Sequence, residues 1–456
     1  GAAAIDAGTN QAWMAGAADL AGRARINGGV VDLGAYEFHA GIQTGALAVA
    51  CTVDRTNAAA GYVLTFTGTV QGAPLQLVWV WGDGQTDTNQ LIATHSFSAT
   101  GVYAVVFRAS NLTTTASATV TVAIVAADHY VAPGGAHVAP YASWANAATT
   151  IQAAVDAASA GAVILVSNGV YGVGGKAGYP SGSALTNRLV VSNAVTVKSL
   201  NGAAATVIVG ARDASGTNGP AAVRGVYLAA GAQLIGFTIT NGATRALNAY
   251  NHNYESGGGV WCVDDTPVVS NCVVSGNAAG YAGGGAYNGT YQDCVISGNG
   301  AGDDGGGAYG AILQDTSLMN NTARNDGGGA EASVLSGCVL EGNEADYGGG
   351  ASSSSLADCV LSNNAARNSG GGVYLSGLTN GVLVDNTAAD VGGGAYGGTT
   401  RNGLFRGNAA GDSGGGARNG TLVNCALSGN VSGGLGGGSC DVTVQSCAIV
   451  GNTAIE

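Results

Sequence analysis

Residues 257–456 are written on a fixed period. A glycine triplet begins at Gly257, Gly283, Gly305, Gly327, Gly348, Gly370, Gly392, Gly414 and Gly436, at spacings of 26, 22, 22, 21, 22, 22, 22 and 22. An asparagine runs in phase at Asn277, Asn299, Asn321, Asn343, Asn364, Asn386, Asn408, Asn430 and Asn452, spaced by 22 except for a single 21 at the same place. Two markers sharing one deletion define one repeating unit, and a repeat of this length constrains the fold before any other feature does. Three residues before each asparagine stands an apolar residue such as Val274, Ile296 or Leu318. Two earlier comes a column rich in cysteine: Cys272, Cys294, Cys338, Cys359, Cys425 and Cys447. Three earlier again come Val269, Tyr291, Leu313 and their copies. Short alternating strands broken by glycine leave no room for a helix. A unit of about 22 residues with three short strands is one coil of a parallel β-helix, each inward side chain stacked on its copy about 4.8 Å away. One coil cannot bury its face alone, whereas a stack of them can.

Composition agrees. Of 456 residues, 80 are glycine and only 9% are charged, yet 46% are apolar, which excludes a disordered chain. Six prolines and no glycine at every third position exclude collagen. The balance of 28 acidic to 15 basic side chains argues against a nucleic-acid partner or adhesion to anionic lipid. No apolar run approaches the ~18 residues of a membrane span. The chain begins at Gly1 with no leader, as a processed protein or an excerpt of a longer one would.

The columns carry distinct chemistry. Stacked asparagines can chain their amides, each donating to the next. Triple glycine permits backbone conformations closed to other residues. The nine cysteines are odd in number, and stacked in-register strands give poor disulfide geometry, so the column reads as free thiols. Two residues before the triplets lie Asp303, Asp346, Asp390 and Asp412 among asparagines. Their oxygens suit calcium. The alternative is that each Asx side chain caps its own turn. Two residues after the last glycine lie Trp261, Tyr287, Tyr309, Tyr374 and Tyr396, pointing outward. They would bind a sugar or a protein partner, or else lie on each other or under a loop. Arg324, Arg367, Arg401 and Arg406 converge with acids in no recognisable motif, and no residue is assigned a catalytic role.

The alternation of a GGGA-type turn with an apolar strand ending in SGN resembles the GGA(I/L/V) and FxxN repeats of bacterial polymorphic outer-membrane proteins and related surface β-helices. The third glycine and the Cys-x-Leu strand depart from that pattern. Residues 127–256 read as the cap and first coils of the same β-helix. Thr149-Thr150-Ile151-Gln152 fits a capping box ahead of a short amphipathic helix, which resembles the N-terminal cap of pectate-lyase-like β-helices. Lys176 to Thr186, and the residues from Asn241 to the first triplet, read as loops.

Residues 42–126 differ, with period-two alternation in Tyr62–Thr67, Leu75–Trp81, Gly101–Phe107 and Ala118–Ile124. This is the pattern of an Ig-like sandwich. The Trp81-Gly82-Asp83-Gly84 turn, His95-Ser96-Phe97 and Gly101-Val102-Tyr103 resemble a PKD domain, which implies a spacer or weak binding module with Trp79 and Tyr103 in the core and Asp83 serving the turn. Residues 1–38, with Val30-Val31-Asp32-Leu33-Gly34-Ala35-Tyr36-Glu37, resemble the tail that closes such β-helices. The expectation is therefore an all-β chain: a right-handed parallel β-helix of about 22 residues per coil preceded by a PKD sandwich. Its expected role is that of an extracellular or bacterial cell-surface structural or adhesive protein, with no cofactor other than calcium under the first of the two readings of the Asp column. Its expected partners are further copies or tandem units, residues 1–38 completing the C-terminal coils of the next, with carbohydrate or another surface protein as additional partners. The alternative is a polysaccharide-binding, -lyase or -hydrolase β-helix.

Overall fold

The computed structural model describes residues 9–15, 17–18, 25–26, 30–31, 44–54, 56–60, 63–125, 128–248 and 251–455. Most of the expected tail, residues 1–38, lies outside the described residues. The chain divides into two units, residues 1–126 and 127–456.

In the first unit, Ala48–Val53, Leu64–Gln71 and Ile92–His95 form one sheet, and Asn57–Ala59, Thr115–Val125, Gly101–Ser110, Gln76–Val80 and Thr86–Thr88 form a second. Alternation places Leu64, Phe66, Trp79, Val105, Phe107 and Val122 in the core, all fully buried. Trp79 packs on Phe107 at 4.5 Å and stacks on Trp81 at 5.5 Å between ring centroids. Its indole N–H donates to the Gln90 carbonyl at 3.1 Å, so burial leaves no polar group unpaired. Asp83 accepts from the Gln85 N–H in its turn and contacts His95 Nε2 at 2.8 Å. Burial raises the Asp83 pKa, but hydrogen bonds from His95 and Gln85 outweigh it and leave the carboxyl below its ordinary range. Tyr103 donates to the Ala99 carbonyl at 2.9 Å.

The second unit is a parallel β-solenoid. Among the described residues its strands form four sheets of 13, 12, 9 and 11 strands. One coil runs through Val268–Ser270, Val273–Ser275, Ala278–Ala279 and Ala286–Tyr287, and Thr290–Gln292 then lands on Val268–Ser270 one coil on. The expected three strands per coil are four, because the residues after each asparagine form a two-residue ladder of their own before the glycines. Val269, Tyr291 and Leu313 stack inward, as do Val274, Ile296 and Leu318, all fully buried. The cap helix is Ile151–Ala157, with the Thr150 side chain accepting from the Ala153 N–H. Gln152 does not complete a capping box. Its amide donates to the Val190 carbonyl and accepts from the Val190 N–H, clipping the helix to the strand Thr186–Val191.

The asparagine column forms a continuous amide chain. In Asn343, Nδ2 donates to Asn364 Oδ1 at 2.9 Å and to the Leu318 carbonyl at 2.9 Å. Its Oδ1 accepts from both the backbone N–H and Nδ2 of Asn321, at 2.9 and 3.0 Å. The same bonds link Asn277 through Asn452. Every amide hydrogen and lone pair of an interior member is used, which is what permits a fully buried polar column.

The glycines of a triplet have different reasons. Gly327 has φ +62°, open at little cost to glycine alone. Gly328 and Gly329 are set by close approach: a Cβ on Gly328 would lie 2.5 Å from the Gly349 carbonyl, and one on Gly329 2.5 Å from that of Gly350. All nine cysteines are free thiols. Burial favours the neutral thiol at Cys294, pushed up to about 11, and at Cys262, pushed up to about 12.

Candidate functional site

The ring column follows the 11-stranded sheet. Tyr227, Trp261, Tyr287 and Tyr309 stack nearly parallel on successive coils at 5.3, 5.7 and 5.7 Å. Tyr374 and Tyr396 resume the stack at 5.1 Å. The faces are occupied by one another, and part of the column lies under the insertion before the first triplet. The short helix His252–Glu255 sits there, its His252 carbonyl accepting from the Trp261 indole at 2.9 Å. Arg224 anchors this insertion. Fully buried, it donates to the carbonyls of Gly257, Asn253 and Ser256 and to Asn187 Oδ1, and its guanidinium lies 5.8 Å from the Trp261 ring. Burial lowers its pKa to about 9, with Tyr227 acting in the opposite sense. No sequence pattern singles out Arg224.

The acidic column divides. Asp390 and Asp412 are exposed, and Asp412 lies 4.0 Å from Arg418. Asp346 pairs with Arg367 Nε at 2.6 Å, and the same guanidinium reaches Glu344 at 2.6 Å. Arg367 therefore meets acids that sequence spacing left apart. Asp303 is half-buried and its pKa is raised by burial, with Arg324 lowering it. Among the described residues, no three His, Cys, Asp or Glu side chains form a preformed metal cage.

The ring column is interrupted at two successive coils, where Glu331 and Ser352 stand between Tyr309 and Tyr374. The interruption coincides with the short coil. Its missing residue falls in the strand Glu344–Tyr347, which bulges against Ala365–Ser369 as Tyr347, not Asp346, pairs with Ser369. Here three carboxyl groups meet. Asp304 and Asp326 occupy equivalent turn positions on adjacent coils, tied by the Asn325 amide, which donates to both at 3.3 Å. The triplet turn then folds Glu331 back towards Asp326: a Cβ on Gly327 would lie 2.9 Å from that of Glu331. Burial, then the charges of Asp303 and Asp326, lift Asp304 to about 6. Burial lifts Glu331 to about 7, eased by the Ser352 hydroxyl and reinforced by Asp326. The Ser352 hydroxyl also favours the charged form of Asp326. On the flanks, Tyr309 feels the charges of Asp304 and Glu331, and Tyr374 that of Asp326. Asp304, Asp326 and Glu331 were not singled out from sequence. The signal that marks them is the paired loss of a ring and of a residue in one coil.

Comparison with known proteins places one part of the chain in a family. Residues 46–124 match the PKD domain. No curated protein matches the chain. Among solved structures the chain is similar to pectate lyase Pel9A, at 15% identity and a TM-score of 0.37, over 72% of this chain and 77% of that one. It is also similar to a rhamnogalacturonan lyase, at 10% identity and a TM-score of 0.36, over 70% and 86% of the two chains. A third is pectin methylesterase PemA from Erwinia chrysanthemi, at 13% identity and a TM-score of 0.33, over 52% and 80%. The substrates in those names belong to those proteins.

Proposed function

We propose that the chain is a structural and adhesive module of an extracellular protein, in which the PKD sandwich is a spacer and the solenoid a stiff, display-bearing element. One observation supports this reading above others: the repeat positions are devoted to registering coil upon coil, through an amide chain whose interior members have no hydrogen-bonding capacity to spare. The PKD match adds weight, since the resemblance implies a spacer or weak binding module. The ring column fits the same role, because its members stack on each other and hold down an insertion. Incubation of the intact chain with pectin, alginate and sulfated glycans tests the reading. The expected outcome is no release of reducing ends or unsaturated products, together with retention on cell or polysaccharide surfaces. Turnover of any of these polymers overturns it in favour of an enzyme.

A further inference from the structure

We propose that Asp304, Asp326 and Glu331, with the Ser352 hydroxyl, bind a hard divalent cation of the calcium class. Glu331 is only 8% exposed, and neither its Oε2 nor Asp326 Oδ1 has a hydrogen-bond partner among the described residues. A buried carboxylate oxygen without a partner is costly, and two side by side are costlier still. Among the described residues no Lys, Arg or His forms an ion pair with any of the three acids. Arg367 is committed to Glu344 and Asp346, and Arg324 acts on Asp303. The site thus gathers acidic oxygens that no cation among the described residues pairs with.

Its chemistry selects the ion class. The donors are carboxylate and hydroxyl oxygens without nitrogen or sulfur, which suits calcium and not zinc. Calcium tolerates irregular spheres completed by water. Since no three acidic side chains already form a cage, the ion draws the carboxylates together by side-chain rotation about the triplet turn. Position supports the assignment. The ring column also lacks a ring at Arg418 and Cys440, but only between Tyr309 and Tyr374 does the loss coincide with a shortened coil. A break in an otherwise consistent pattern is where a functional demand overrides folding economy. The location differs from the turn column of Asp390 and Asp412, whose members are exposed.

The flanking tyrosines supply the assay. Terbium, a luminescent surrogate for calcium, is added to the EDTA-treated full chain with excitation of tyrosine. The expected result is sensitised emission that calcium displaces, and a calcium-dependent rise in the solenoid's thermal midpoint. Glu331→Gln and Asp326→Asn each weaken terbium binding more than about tenfold, or 1.4 kcal/mol, while Asp412→Asn leaves it unchanged. Far-UV circular dichroism identifies any variant that fails to fold, and the calcium-dependent midpoint of the unaltered chain stands independently of the variants. Absence of emission, emission that persists in Glu331→Gln, or a midpoint that ignores calcium and follows only pH overturns the proposal. The last result would assign the cluster to a shared proton.

Discussion

The sandwich and the solenoid bury similar side chains by different routes. In the sandwich, Trp79 touches its near neighbour Trp81 and, on two other strands, Phe66 and Phe107, so one residue ties distant strands together. In the solenoid each side chain meets its own copy one coil above and one below, as Ile296 meets Val274 and Leu318. A lesion in the sandwich is therefore felt by the whole unit. A lesion in the solenoid is felt by its neighbours and fades along the stack, as nearest-neighbour energetics requires.

The sharpest way to break this contrast is to delete the hub of one unit and a rung of the other. Trp79→Ala is expected to cost about 3–5 kcal/mol, seen as loss of the sandwich unfolding transition in urea with the solenoid transition retained. Asn343→Ala removes the acceptor used by the Asn321 amide and backbone N–H and the donor used by the Leu318 carbonyl, and it leaves Asn364 Oδ1 with only the backbone N–H of residue 343. At about 1 kcal/mol or more for each orphaned group, the expected loss is about 3 kcal/mol. Hydrogen exchange should show opening centred on this coil and declining towards Asn277 and Asn430. Uniform loss of protection along the stack would show that the solenoid behaves as one body, like the sandwich.

Asn343 was legible from spacing because periodicity alone identifies a column and stacking alone fixes its partner. The glycine triplets were legible as turns, but the reason for Gly328 and Gly329 was not, since it lies in the carbonyls of the next coil. The PKD core was legible through Trp79 and the Asp83 turn. Arg224 was invisible because its partners are backbone carbonyls, which leave no residue signature. The Asp304–Asp326–Glu331 cluster was missed because its members sit in two columns on either side of a triplet. Only the turn and the coil stacking together unite them.

Smaller effects sharpen the comparison. Gly328→Ala forces a Cβ against the Gly349 and Glu344 carbonyls and is expected to cost about 1–3 kcal/mol, the range for overpacking, confined by hydrogen exchange to adjacent coils. Acidity should act on the solenoid through Glu331. Its folded pKa of about 7 lies above the ordinary 4.5, so the folded state holds its proton more tightly. The contribution is present below about pH 4.5 and is lost as pH rises to about 7. In EDTA, the solenoid's thermal midpoint should fall across that window, and less so in Glu331→Gln. The smallest change is expected from Arg367→Ala, whose half-exposed ion pairs are worth less than about 1 kcal/mol, read as a shift of the urea midpoint.

The amide chain running from Asn277 to Asn452 gives the solenoid a compass. Each Nδ2–H points to the oxygen one coil later in sequence, so the side-chain dipoles add and never cancel. A coil docked in reverse would set donor against donor. Each rung thus presents a polarised N–H pair whose acceptor lies on the coil that follows, so every coil of the stack shares one direction.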